Sequence, residues 1–131
     1  MKSDHIDFLK KRAKAFLECA KSDFSRGNYD LVLFHIEQFI QLYLKHLILK
    51  RIGVFPKTHS LIYLIKELLR TYRIDKLEKF YHENIALLYL LEEAYITSRY
   101  LPRQYDKEIA KRILKFAEYA LEVFEWVERQ L

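Results

Sequence analysis

Apolar residues recur at intervals of three or four along most of the chain, and this is the period of an α-helix. In the first segment such positions run from Ile6 to Phe24, and Gly27 follows at a place suited to ending a helix. The pattern predicts a first helix from about Asp4 to Arg26. No window alternates with period two for long enough to indicate a β-strand.

A second helix, predicted from about Tyr29 to Arg51, is apolar on most of its sides. Such a helix must be covered on most sides when the chain folds. We therefore expect it to be the central helix, with part of its apolar area reserved for a second subunit. The little polar surface that remains on it consists mainly of Glu37, Gln38, Gln41 and Lys45.

Capping residues and breaks in the period divide the rest of the chain. A short helix follows from Leu61 to Tyr72. Asp75 can cap a fourth helix that ends near Ser98, and Asp106 can cap the last helix. The helical period breaks between them, over residues 99–105. The sequence therefore predicts an all-α fold, an antiparallel up-and-down bundle of four long helices plus one short helix.

Length and composition fit one folded domain. The chain has 131 residues, so we expect a single helical bundle domain over residues 1–131. Hydrophobic residues make up 51% and charged residues 31%, a balance that excludes a disordered tail. The longest apolar run, residues 85–91, is too short to span a membrane, and the start of the chain lacks a signal-type apolar stretch. We expect a cytoplasmic protein without membrane association.

The residue types of familiar catalytic and metal sites are sparse. The single cysteine, Cys19, excludes an internal disulfide and a cysteine-built zinc site, and its helical position predicts a packing role. His35 and His46 share a helix face but stand about 16 Å apart along it, too far to hold one metal ion. Glu78 and His82 have the one-turn spacing of two ligands, but no second pair completes a site. We therefore expect no metal, no cofactor and no catalytic residue.

Charge is unevenly distributed near the end of the chain. Residues 99–115 contain six basic and two acidic residues, whereas residues 116–131 contain one basic and four acidic residues. This polarity opposes the helix dipole, for which each well-placed charge contributes about 0.3–1 kcal/mol. Lys107, Lys111 and Lys115 also follow one another at one-turn spacing, which is mildly repulsive. A helix with such unfavourable electrostatics is typical of a surface kept positive for a ligand. The formal charge of +5 permits an anionic partner.

The same region supplies groups that bind nucleotides. Arginine side chains hold phosphates through two parallel hydrogen bonds, and tyrosine rings stack on bases. The N-terminus of the last helix would add further positive potential. The alternative is that these cations pair with acids on neighbouring helices. The predicted nucleotide- or RNA-binding residues are Arg99, Tyr100, Arg103, Tyr105, Lys107 and Lys111.

Three segments carry a resemblance to a known family. Residues 27–30 lead into a long helix with Glu37, Gln38 and Lys45; His59-Ser60-Leu61 precedes the short helix; and Arg99-Tyr100-Leu101-Pro102 ends the fourth helix. In this order and spacing the chain resembles a HEPN domain, named for higher eukaryotic and prokaryotic nucleotide-binding proteins. The resemblance implies an antiparallel bundle that is usually a homodimer. Many bacterial and archaeal members act with a minimal nucleotidyltransferase as a toxin–antitoxin pair.

Other members of that family are metal-independent ribonucleases, whose motif is an arginine followed, after four to six residues, by a histidine. Arg99 matches the arginine, but Gln104, Tyr105 and Asp106 occupy the positions allowed for the histidine. The imidazole that would transfer protons is therefore missing, which argues against catalysis.

Three hypotheses follow. The first is a non-catalytic HEPN protein that binds a nucleotide or RNA, alone or with a minimal nucleotidyltransferase. The second is a degenerate ribonuclease in which Tyr105 or a dimer-related residue replaces the histidine. The third is an assembly module that docks an acidic protein surface and has no nucleic-acid ligand.

Overall fold

The computed structural model describes residues 2–100 and 104–131, and the side chains of all of these except residues 2–6, 98 and 99. The described residues form helices and the connections between them, with no strand, and the predicted all-α fold is confirmed. In chain order the helices are α1 (Lys2–Ser25), α2 (Tyr29–Ile52), α3 (Leu61–Thr71), α4 (Asp75–Glu83), α5 (Ile85–Tyr100) and α6 (Lys107–Gln130). None of the described helices is both long and apolar enough to cross a bilayer.

Helix α2 is the centre of the bundle, and α1, α3, α5 and α6 all pack against it. Its apolar positions are therefore covered by the same chain, including Phe39, Tyr43 and Leu47, which are fully buried. The argument that excess apolar area on α2 is reserved for a second subunit is wrong, because four helices of one chain already occupy that area. The central position itself agrees with the sequence pattern.

Glycine and serine residues set the ends of the first three helices. Gly27 and Gly53 have φ values of 77° and 86°, a left-handed conformation that favours glycine. The Gly53 amide donates to the Leu49 carbonyl at 2.8 Å, which satisfies the last turn of α2. Ser60 caps α3, because its hydroxyl accepts a hydrogen bond of 3.1 Å from the Tyr63 amide.

The helix predicted to continue from Asp75 to Ser98 is divided at Asn84 into α4 and α5. The Asn84 side-chain amide donates to the Phe80 carbonyl at 3.0 Å, and a side chain that bonds the local backbone in this way competes with helical hydrogen bonding. Asp75 is the first residue of α4 and not its cap, a position that Ile74 takes without a side-chain hydrogen bond.

The core is rich in aromatic residues. Phe80 of α4 lies parallel to Phe116 of α6, with ring centroids 5.5 Å apart, and it meets the edge of Phe124. Such pairs add about 0.5–1.5 kcal/mol beyond the burial of their area. Cys19, in contrast, is exposed on α1, so the predicted packing role is wrong.

Candidate functional site

The predicted binding residues surround the junction between α5 and α6. Arg103 and the side chain of Arg99 lie outside the described residues, so the prediction for both stays a prediction. Tyr100, at the end of α5, is 73% exposed. Tyr105 is only 8% exposed, and its hydroxyl lies 3.4 Å from the Thr97 hydroxyl. Tyr105 therefore packs the junction together and offers little ring surface on which a base could stack.

The start of α6 presents exposed cations beside a helix cap. Lys107 and Lys111 are exposed one turn apart, about 6 Å along the axis. Asp106 caps the helix as predicted, and its carboxylate accepts from the Ile109 amide at 2.9 Å. A carboxylate of the chain thus occupies part of the positive helix terminus, and the exposed positive charge at this end of α6 comes mostly from the lysine side chains.

The two halves of α6 differ in how their charges are compensated. Three of the four glutamates in the acidic C-terminal half are paired with lysines of α1 and α2, through the pairs Lys21–Glu118, Lys14–Glu125, Lys10–Glu128 and Lys50–Glu128. Within the described part of the chain, none of the basic side chains Lys107, Lys111, Arg112 and Lys115 forms an ion pair. The basic half therefore keeps its charge available to a ligand.

A groove lies beside this junction, between the start of α3 and the end of α5. It has a volume of about 260 Å³ and is lined by His59, Ser60, Glu92, Tyr95 and Ile96. The rings of His59 and Tyr95 are stacked, with centroids 5.0 Å apart and an angle of 24° between their planes. Ile96 is 56% exposed and precedes Tyr100 by one helical turn.

The carboxylate of Glu92 is held in place within the groove. One of its oxygens accepts from the Ser60 hydroxyl at 2.8 Å and from the Ile62 amide at 3.0 Å. Glu92 thus joins Ser60 in capping α3, and this interaction ties α3 to α5. Ser60 and Glu92, which are far apart in sequence, therefore form one connected wall of the groove.

A buried polar network on α2 lies behind the groove. Glu37 accepts from Gln38 at 2.6 Å and from Gln41 at 2.8 Å, and the Gln41 oxygen accepts from Lys45 at 3.1 Å. That oxygen also lies 3.3 Å from His59 Nδ1, which must carry a proton to donate to it. The same Nδ1 lies 3.3 Å from the Tyr95 hydroxyl, so His59 joins the buried network to the ring pair of the groove.

Burial shifts the titration of both charged groups in this network. It raises the pKa of Glu37 to about 7, against the hydrogen bonds from Gln41 and Gln38. It lowers the pKa of Lys45, against the attraction of Glu37. The sequence placed these polar residues on the surface of α2, and that placement is wrong, because Glu37 and Gln41 are 0% and 4% exposed. Their one-turn spacing on an otherwise apolar helix was the signal for a buried network.

Glu128 organises a second polar cluster at the other end of α6. It accepts from Tyr43 at 3.0 Å, His46 at 2.9 Å and Lys50 at 3.3 Å, and it pairs with Lys10 at 3.1 Å. Burial opposes ionisation of Glu128, but the hydrogen bonds from His46, Lys10 and Tyr43 outweigh it and lower its pKa to about 2. This cluster joins α1, α2 and α6.

A partly buried histidine also links two helices. His35 of α2 lies 2.5 Å from the Asp23 carboxylate of α1 and stacks on Phe16, with centroids 5.7 Å apart. Among the described residues, no three histidine, cysteine or acidic side chains lie close enough together to hold a metal ion.

Comparison with known proteins gives a consistent family and fold. A family model described as the HEPN domain matches residues 6–130. None of the curated proteins matches the chain. The solved structure of TT1696 from Thermus thermophilus is 22% identical, with a TM-score of 0.74 over 96% of this chain and 98% of that one. The structure of ST0689, an archaeal HEPN homologue, is 24% identical, with a TM-score of 0.64 over 95% of this chain and 96% of that one.

Proposed function

The chain belongs to the HEPN domain family, as its sequence resemblance predicted, and on this premise we propose that it is a non-catalytic member that binds a nucleotide or RNA. The observation that carries the proposal is the division of α6, whose acidic half is ion-paired while the described cations of its basic half are not. Lys107 and Lys111 are then available to neutralise phosphates, and Tyr100 offers an exposed ring at the end of α5.

Three side chains at the family's histidine positions support a role without catalysis. Gln104 has no titratable group, Tyr105 is buried against Thr97, and Asp106 caps α6. None of the three provides an imidazole able to exchange protons near neutral pH. The same arrangement disfavours the alternative of a degenerate ribonuclease that uses Tyr105.

The proposal includes two kinds of protein partner. One is a minimal nucleotidyltransferase, with which the protein would act as in a toxin–antitoxin pair. The other is a second copy of this chain. We place the homodimer contact on the start of α5, where Ile85 and Tyr89 are 38% and 53% exposed on one helix face. This leaves the far end of α5, with Ile96 and Tyr100, for the ligand.

The test is RNA binding by a variant that carries both Lys107→Gln and Lys111→Gln, measured by fluorescence anisotropy over a range of salt concentrations. We expect weaker binding and a shallower salt dependence, with the slope reduced by about 0.7 for each phosphate of a single strand that is no longer neutralised. A denaturing gel of the same RNA reports cleavage, which would favour the ribonuclease alternative.

The matched control removes two lysines that are already ion-paired, Lys14→Gln with Lys21→Gln. It changes the net charge by the same amount, and we expect little change in affinity. Equal decreases in affinity for both double variants would mean that the RNA responds only to net charge. Absence of binding by the unmodified protein would overturn the proposal and favour the assembly module.

A further inference from the structure

We propose that the groove between α3 and α5 binds a single nucleobase that presents an amino group, packed against the His59–Tyr95 ring pair. This inference rests on the proposed binding of a nucleotide or RNA and assigns the position of its base.

The groove has the shape and lining of a site for one flat ring system. Its volume of about 260 Å³ lies just below the range of about 300–1,000 Å³ that holds drug-sized ligands, which suits a group as small as one base. His59 is exposed, and its ring is nearly parallel to that of Tyr95. Tyr95 is in turn nearly parallel to Phe34, with centroids 6.1 Å apart. A base packed against these rings would extend an existing stack.

The end of α5 that lines the groove is tied to the start of α6. Thr97 follows the groove residue Ile96 directly, and its hydroxyl lies 3.4 Å from that of Tyr105. Tyr105 precedes Lys107 by two residues. In the proposed complex the base lies in the groove and the phosphates extend toward the exposed lysines of α6. This charge complementarity favours a nucleotide over an uncharged ring compound.

Glu92 gives the groove a preference among bases. Its carboxylate only accepts hydrogen bonds, and the Ser60 hydroxyl and Ile62 amide hold it in one orientation. Carboxylates recognise the exocyclic amino group of cytosine in this way. Adenine and guanine also carry such a group, whereas uracil has a carbonyl oxygen, an acceptor, where cytosine has its amino group. We expect binding to decrease from cytosine or adenine to uracil.

The buried network behind the groove supports this arrangement. The Gln41 oxygen accepts a hydrogen bond from Lys45 and lies 3.3 Å from His59 Nδ1, so the histidine ring is held from behind. A ring fixed before the ligand arrives loses less entropy on binding. His59 therefore acts as a preorganised stacking surface.

The experiment compares short homopolymers of cytidine, adenosine and uridine with inorganic tripolyphosphate, using the full chain and isothermal titration calorimetry. The variant His59→Ala removes an exposed ring and should weaken binding of the cytidine and adenosine homopolymers by about tenfold. Tyr95→Phe keeps the ring but removes the hydroxyl that lies 3.3 Å from His59 Nδ1, so it should retain most of the binding. Tripolyphosphate has no base, and its affinity should stay the same in His59→Ala. The control His82→Ala removes an exposed histidine of α4 outside the groove.

Glu92→Gln tests the preference among bases. An amide oxygen can still accept from Ser60 and Ile62, so α3 keeps its cap, while the amide also presents donors to the groove. We expect the difference between cytidine and uridine homopolymers to shrink in this variant.

The outcomes separate this inference from the proposed function. Equal binding of the homopolymers to His59→Ala and to the unmodified protein would overturn the base site and leave phosphate binding intact. A parallel loss of tripolyphosphate binding would place His59 at the phosphate and also overturn the inference. If His59→Ala changed the sedimentation of the protein but not its binding of the homopolymers, a second copy of the chain would cover the groove, and this would also overturn the inference. Absence of any RNA binding would overturn both proposals together.

Discussion

Replacing Glu128 with glutamine removes one negative charge from the cluster that joins α1, α2 and α6. The carboxylate accepts hydrogen bonds from Tyr43 and His46 and pairs with Lys10 and Lys50, and its pKa of about 2 lies well below the ordinary value of 4.5. The full difference corresponds to about 3 kcal/mol. The lysine partners are 34% and 40% exposed, and solvent screens them, so we expect the substitution to cost about 2 kcal/mol at neutral pH.

The pH dependence distinguishes charge from packing. A carboxyl group whose pKa is lower in the folded protein stabilises the fold above its unfolded pKa and loses that contribution as pH falls. The difference in unfolding free energy between the unmodified protein and Glu128→Gln should therefore have its full value above about pH 5 and should decrease as the pH falls to about 2. Urea unfolding followed by circular dichroism measures it across this range.

A matched control is available one turn earlier on α6. Glu125 makes one ion pair with Lys14, and both side chains are more than 40% exposed. Glu125→Gln should therefore change the unfolding free energy by less than about 1 kcal/mol. A decrease in stability at Glu128 that is independent of pH would refute the electrostatic reasoning and assign the effect to packing.

The remaining predictions concern the buried network and the proposed dimer. Burial raises the pKa of Glu37 to about 7, so its ionisation costs stability as pH rises from 4.5 toward 7. The unfolding free energy of Glu37→Gln should rise by about 2 kcal/mol relative to that of the unmodified protein between about pH 5 and about pH 8. Urea unfolding at both pH values measures this change, and a difference that stays constant with pH would contradict the prediction. Tyr89→Glu places a charge in the proposed dimer contact and should give monomers in sedimentation velocity, whereas His82→Glu should not. Dimers of Tyr89→Glu would exclude this contact.

The ends of most helices could be predicted because local chemistry determines them. The Gly27 turn and the Asp106 cap depend on residues within one turn of the helix end. The break between α4 and α5 was missed because apolar residues keep their helical period on both sides of Asn84. The competing hydrogen bond from the Asn84 side chain to the Phe80 carbonyl does not alter the spacing of the apolar residues, so the sequence pattern does not reveal it.

The candidate site was predictable only in part, because its members come from distant segments. The basic start of α6 was visible as a run of charge, but the lysines that compensate its acidic half lie on α1 and α2. In the groove the rings of His59 and Tyr95 stack, although α3, α4 and most of α5 separate the two residues in sequence. Tyr105 was assigned to the ligand from its residue type, while its burial depends on how the junction packs against Thr97. Such pairings follow from the packing of the bundle.

The division of α6 means that ionic strength acts in opposite directions on its two halves. Added salt weakens the attraction of Lys10 and Lys50 for Glu128, and it also weakens the repulsion within the row from Lys107 to Lys115. These changes offset each other in the folding free energy, whereas attraction for a polyanion falls steeply with salt. One helix thus separates the charges that hold the bundle together from the charges that the proposal assigns to a ligand. If the proposal holds, the ionic composition of the surroundings tunes how much ligand is bound while the fold stays intact.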